Sequence, residues 1–254
     1  MRADRLAAVA LVAVLGLTGC TGSAEPASPG SAAPASAAPA ATDPASVFRA
    51  AVAKTNQSTM SFTIDSDLGT LGTMHGEGAA DPKQKATAYQ AELLTTDRKI
   101  DIAAVLVGPD LYLKVTGLTT DRWAHLDLGK VKSLSKLGLD ATGSPTGLGS
   151  IGDEIVTVTR TGPGAFSGTL DKTRNPLTAS AGASEALKSV PFEAKVNAGG
   201  YVTELVTHTP PVGTAPASTT TAAFADFGSK TITINRPDSA TVEQAPDSFY
   251  DALQ

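Results

Sequence analysis

The stretch IDIAAVLVGPDLYLKVT, residues 100–116, decides the fold class. Ile100, Ile102, Ala104 and Leu106 fall on one side of an extended chain, because successive strand side chains point to opposite faces. Gly108-Pro109-Asp110 is turn chemistry, and Leu111, Leu113 and Val115 then alternate with Tyr112, Lys114 and Thr116. Two alternating runs across a three-residue turn predict a β-hairpin with one apolar face.

The same pattern extends in both directions. Upstream, Phe62 and Ile64 alternate with Ser61, Thr63 and Asp65, and glycines at 69, 72, 76 and 78 punctuate a turn into a second strand. Ala86 to Leu94 reads as a third strand after the Asp81-Pro82 turn. Before these, Asp43-Pro44 is a helix start, with Asp as N-cap and Pro in the first turn, followed by Val47, Phe48, Ala51 and Val52 at helical spacing. Downstream, Val131, Leu134 and Leu137 suggest a short helix, and 138–152 a Gly/Ser/Thr loop. Strands are expected at 155–159, 166–170, 192–196, 201–208, 219–227 and 231–235, with a short helix at 184–189. Sequential hairpins with helices at separate points predict an α+β layer: one large antiparallel sheet with helices on one face.

The 254 residues suit one domain with accessory segments, and no repeat period is present. Aromatic residues are only 5%, so the core must be built from Val, Ile, Leu and Ala. A net charge of −5 supplies no basic field for phosphate backbones, which argues against nucleic-acid binding. One cysteine excludes an internal disulfide or a multi-cysteine metal site.

That cysteine follows an export signal. Arg2 and Arg5 precede an uncharged run, Leu6 to Leu17, too short to span a bilayer, so 1–19 reads as a signal peptide. Leu17-Thr18-Gly19-Cys20 resembles the bacterial lipobox, which implies that Cys20 receives a diacylglycerol and becomes the N-terminus. The alternative is a secreted protein with a stray cysteine. Two acyl chains, at about 0.8 kcal/mol per buried CH₂, anchor stably. The expected location is the extracytoplasmic face of the cell membrane. Residues 20–42 then form a tether: 17 of the 22 residues after Cys20 are Ala, Ser or Pro, a composition that cannot offset its ordering entropy. The body is 43–254.

Motifs with catalytic chemistry fail on context. Gly147-Leu148-Gly149-Ser150-Ile151-Gly152 matches a dinucleotide fingerprint but reads as leading into a strand rather than a helix. Ser133-Leu134-Ser135-Lys136 lacks the further elements that serine enzymes of that type need. Asp65-Ser66-Asp67 opens like a calcium loop, yet Gly76 stands where a bidentate Glu is required. His75, His125 and His208 have no sister ligand at metal spacing. No active site, metal or cofactor is expected.

Several segments resemble a known family. Pro191 to Val196, the Ala198-Gly199-Gly200 turn, Tyr201 to Leu205, Phe224 to Gly228 before Thr231 to Ile234, and Asp110 to Lys114 before Arg122 to Leu126 are similar to actinobacterial lipoproteins of the LppX/LprG (LprA, LprF) family. The resemblance implies the fold of the LolA lipoprotein carrier: a strongly curved antiparallel half-barrel with two to four helices packed on one face and an apolar cavity between. It implies a non-enzymatic protein that holds or moves acyl chains of lipids or glycolipids in the envelope, with an envelope transporter as a further partner.

The expected cavity wall is Phe62, Ile64, Ile100, Ile102, Leu106, Leu111, Leu113, Val156, Val158, Phe166, Phe192, Val196 and Leu205. A 16-methylene chain costs roughly 13 kcal/mol to expose to water, so a carrier must replace that contact with apolar wall. The same thirteen residues equally describe a filled sheet–helix core, as in a scaffold lipoprotein acting through its surface. The Gly-rich 138–152 is the candidate lid. An envelope hydrolase built around one of the histidines is the third reading.

Overall fold

The computed structural model describes residues 43–117, 119–131, 145–174 and 185–252. The leader, Cys20 and tether lie outside these residues, as does Ser133–Lys136. Residues 41–254 form one compact unit. Every element described falls within it, so the body is expected to fold without what precedes it.

Helix α1 (Pro44–Asn56) is followed by β1 (Met60–Asp67), β2 (Thr73–Asp81), β3 (Ala86–Leu94), β4 (Lys99–Val107), β5 (Asp110–Val115) and β6 (Trp123–Asp127). Then come α2 (Leu148–Glu154), β7 (Ile155–Gly162), β8 (Ala165–Leu170), β9 (Val190–Val196), β10 (Val202–Thr209), β11 (Ser218–Ala225), β12 (Val242–Gln244) and α3 (Asp247–Ala252). All twelve strands join one open sheet in the order β12-β6-β5-β4-β3-β2-β1-β11-β10-β9-β8-β7. Every pairing is antiparallel except β12 on β6. Two hairpin meanders, β1–β6 and β7–β11, are thus sewn together along β1 and β11.

Helix α1 starts as its sequence dictates. The Asp43 carboxylate accepts from the Ser46 amide at 3.0 Å and from its hydroxyl at 2.9 Å, which holds its pKa below the usual carboxylate value. The helix turns Phe48, Ala51, Val52 and Thr55 onto the sheet. Phe48 is fully buried, its ring 5.5 Å from Phe166 and 5.3 Å from Phe192. Thr55 Oγ1 donates to the Ala51 carbonyl and accepts from the Val202 amide, tying α1 to β10. Leu148 and Ile151 of α2 complete this core. Phe62 lies over Gly78, where a β-carbon would collide with the Phe62 ring tip. A second, smaller core gathers Leu106, Leu111, Leu113 and Leu126, with Phe249 and Tyr250 of α3 packed against it. Tyr89 touches both cores, and burial pushes its phenol pKa up. Burying the apolar half of each strand is what stabilises the sheet, at about 25 cal/mol per Å² removed from water.

Three expectations need correction, and a fourth falls almost wholly outside the described residues. The alternation at 231–235 does not form a strand; the closing strand is β12, further on. The fingerprint stretch does open a helix: Gly147, at φ 68, caps α2, whose Leu148 and Ile151 face the core. Residues 148–152 of the expected lid are therefore part of α2, held to the core by Leu148 and Ile151, while 138–144 lie outside the described residues. Of the expected helix at 131–137 only Val131 is described, and it closes a 3₁₀ turn, Leu128–Lys130.

Candidate functional site

The helix face of the sheet carries most of the expected wall. Phe62, Ile64, Phe166, Phe192 and Leu205 are buried in the first core, with Val158 and Val196 packed against it. Leu106, Leu111 and Leu113 are in the second. Ile100 and Ile102 are half-buried and belong to neither. Val156 departs from this wall: it is 49% exposed. A register shift between Ile155 and Thr157 inserts it as an extra residue and reverses the alternation that the sequence implied. Between helices and sheet the space is taken up by Phe48, Val52, Leu148 and Ile151, all at 3% exposure or less.

Open space lies on the opposite face. Strand register sets three rows across it. One row runs Ala225, Ser61, Ala79, Ala88, Val105, Tyr112; the next runs Ala223, Thr63, Glu77, Gln90, Ala103, Lys114; the third runs Thr221, Asp65, His75, Glu92, Asp101. The face therefore grades from small apolar residues to charged ones. A solvated antiparallel face is ordinarily polar throughout, so the first row, with Ala79, Ala88, Val105 and Ala225, needs a reason.

Over the apolar side of this face passes the chain between β11 and β12, which forms a strap. The Gly228 amide donates to the Thr59 carbonyl at 2.8 Å, and Arg236 reaches Asp110 at 2.6 Å. Between these pins Thr233 and Ile234 cover the rows, and Ile234 is buried. Beneath them is a groove of about 690 Å³, bordered by Ala79, Ala88, Ala103, Val105, Trp123 and Ala223. A second groove of about 580 Å³ shares Glu77, Gln90 and Ala103 with the first and continues into the charged row, past Lys114 to Thr119 and Asp121.

Charges on the polar row are mostly paired. Asp65 bonds His75 Nδ1 at 2.6 Å and raises its pKa above 6.5. Lys99 lies 2.7 Å from Glu92 and 3.2 Å from Asp101, and both raise its pKa. Under the strap's far end, His125 stacks on Tyr112 at 5.0 Å. Its Nε2 is 2.8 Å from Asp110 and its Nδ1 2.6 Å from the Gln244 amide, so both ring nitrogens are occupied. His208 meets Thr219 on another part of the sheet. Asp65 and Asp67 point to the open face while Ser66 is buried against Thr220, so these three side chains do not converge on one ion. Among the described residues no three His, Cys, Asp or Glu side chains gather as a metal set. No described helix is long and apolar enough to cross a membrane.

The groove residues escaped sequence reading because Ala79, Ala88, Ala103 and Ala223 are too small to mark an apolar face. The available signal was their coincidence at alternate positions, together with the Ile232/Ile234 alternation that now forms the strap.

No family model matches the chain, and no curated protein matches it. Among solved structures, the chain is similar to a LolA superfamily protein from Nitrosomonas europaea. The alignment covers 83% of this chain and 98% of that one at 9% identity, with a TM-score of 0.29.

Proposed function

We propose that this protein is a non-enzymatic, lipid-anchored envelope lipoprotein, of the LppX/LprG kind, that binds acyl chains of lipids or glycolipids and holds or transfers them. The observation that carries the reading is the roofed apolar groove on the open face. At about 690 Å³ it is within the roughly 300–1,000 Å³ of small-molecule sites. Ala79, Ala88, Val105 and Ala225 provide a mostly apolar wall, with Glu77 and Gln90 at its polar side, and Ile234 lies over it. The adjoining polar groove suits a head group: an acyl tail would lie along Ala79, Ala88 and Val105, and its polar end would meet Glu77, Gln90 and Lys114. Anchoring through Cys20 on the extracytoplasmic face follows from the lipobox-like Leu17-Thr18-Gly19-Cys20.

The test is mass spectrometry of an organic extract from residues 43–254 purified from an actinobacterial host. An unrelated secreted protein from that host is the control. A lipid near equimolar amount, lost in Ala88→Trp at unchanged thermal stability, is the expected result. A clean extract with no uptake of added fatty acid or glycolipid would overturn the reading. It would leave a scaffold acting on a protein or the cell wall, an alternative favoured by the filled space between helices and sheet.

A further inference from the structure

Ile234 is buried, yet it belongs to neither of the two cores. Its cover is the groove on the open face, which it lines together with Thr233. The chain that carries it is held quite differently from the strands beneath. Among the described residues, no backbone group from Lys230 to Pro237 bonds another backbone group. The position of the pins explains this. Gly228 is fixed at Thr59, ahead of β1, and Arg236 at Asp110, the first residue of β5. Strands β1 and β5 are four neighbours apart in the sheet, about 19 Å at about 4.8 Å per strand. The chain from 229 to 236 reaches at most roughly 29 Å, so the strap runs across the strands and cannot join their ladder.

Both ends of the strap are attachments to the sheet. At the β11 end the chain leaves through two left-handed residues, Asp226 at φ 53 and Gly228 at φ 71. The Asp226 carboxylate accepts from Ser61 Oγ at 2.6 Å, and the Ser229 amide donates to the Asp226 carbonyl at 3.1 Å. Pairing of β11 with β1 stops at Ala225, so movement of the chain beyond Gly228 breaks no ladder bond. At the far end Asp110 accepts from Arg236 through Oδ2 and meets His125 of β6 through Oδ1. The Arg236 side chain is 56% exposed, so this ion pair is solvated and weak. Past it, Asp238 accepts from the Ala240 amide, and β12 is paired to β6. One buried side chain and one exposed ion pair therefore hold down everything between Gly228 and Asp238.

From these attachments we infer that residues 229–237 form a hinged lid: it pivots at Asp226–Gly228, is latched by Arg236 on Asp110, and lifts Ile234 off the groove while the sheet stays folded. Opening exposes one isoleucine, which favours the closed state by roughly ten- to hundredfold, and breaks an ion pair that adds at most about fivefold. Global unfolding is far rarer, at about 10⁻⁴ of molecules or less. That the lid admits an acyl chain rests on the groove reading; that it opens does not.

The experiment uses residues 43–254, which are free of cysteine because Cys20 is the chain's single one. Ile234→Cys places a thiol under the strap, and Ala222→Cys, in β11 at 2% exposure, places one in the core. Labelling by iodoacetamide is followed by mass spectrometry in rising urea, below the unfolding midpoint. The 234 thiol should react at least about tenfold faster than the 222 thiol, at a rate almost independent of urea. The 222 rate should climb with urea, as global unfolding does. The 234 thiol should also react several-fold more slowly than a free peptide of residues 229–237 with the same substitution. Adding Arg236→Ala should speed it by about two- to fivefold. Equal rates at the two sites, the same urea dependence at both, or a 234 thiol as reactive as the peptide would each overturn the lid. No response to Arg236→Ala would overturn the latch. Palmitate uptake, measured on the same proteins, separates these outcomes from failure of the groove reading. Palmitate that binds should slow labelling at 234, and binding without slowing would overturn closure over the ligand. Labelling as expected with no palmitate uptake refutes the groove reading and supports the lid.

Discussion

Replacing Phe48 by alanine separates a filled core from a ligand cavity on the helix face. The ring is fully buried and lies against two aromatic partners at 5.5 and 5.3 Å. Truncating a buried phenylalanine costs about 3–5 kcal/mol, from lost transfer energy and the void left behind. Two aromatic contacts, each worth roughly 0.5–1.5 kcal/mol beyond burial, place this site in the upper part of that range. Helix α1 has little room to settle, because Thr55 holds its far end to Val202. A loss of about 4 kcal/mol corresponds to a melting temperature lower by roughly 8–16 °C for a body of this size. The assay is urea unfolding followed by far-ultraviolet circular dichroism, with fatty-acid binding measured on the same samples. Binding should be unchanged, since Phe48 and the apolar groove lie on opposite faces of the sheet. A cost below about 1.5 kcal/mol, smaller than full burial of such a ring implies, together with tighter binding, would refute the assignment of the two faces.

Three further outcomes are expected. Lys172→Met removes the partner of Glu154, which is 1% exposed and 2.7 Å from Lys172 Nζ in an ion pair rather than a well-aligned hydrogen bond. The stranded carboxylate should cost about 3 kcal/mol or more in urea unfolding, and adding Glu154→Leu should recover most of it. His75, whose pKa is raised by the hydrogen bond and charge of Asp65, should titrate by NMR above its ordinary value, and Asp65→Asn should return it there. Because the folded pKa is the higher one, the pair's contribution to stability is complete below about 6.5 and fades as pH rises through the folded value. An unmoved midpoint in Asp65→Asn would exclude the pairing. Arg236→Ala frees the strap from Asp110, and limited proteolysis should then cut faster within 229–235 while the unfolding free energy in urea falls by less than about 1 kcal/mol.

The hairpin 100–116 was legible because its alternation and its turn agree, although the turn is two residues, Gly108-Pro109, rather than three, since Asp110 already pairs with Val107 in the ladder. The Asp43-Pro44 start of α1 and the hairpin of β9 and β10 were legible on the same grounds. Residues 231–234 misled because an extended chain laid across a sheet has the same period-two pattern as one hydrogen-bonded within it. Helix α2 was hidden by Gly149 and Gly152, which lower helix propensity; burial of Leu148 and Ile151, three apart, overrides it. Val156 was assigned to the wrong face because a bulge is invisible to any count of alternate residues. As for the groove, period-two reasoning looks for large apolar side chains, whereas this space exists because the side chains on alternate positions are small.

The strand order carries a consequence for how the chain reaches its native state. Within each meander, neighbours in the sheet are neighbours in sequence, and such contacts close short loops and form early. The seam between them does not: Ser61 meets Asp226 across 165 positions. Until β11 is available, β1 and β10 both present bare edges, the sort of surface on which unfinished chains associate with one another. The slow step of maturation is therefore assigned to the seam, and a chain cut short before Ser218 would hold two half-sheets with no means of joining.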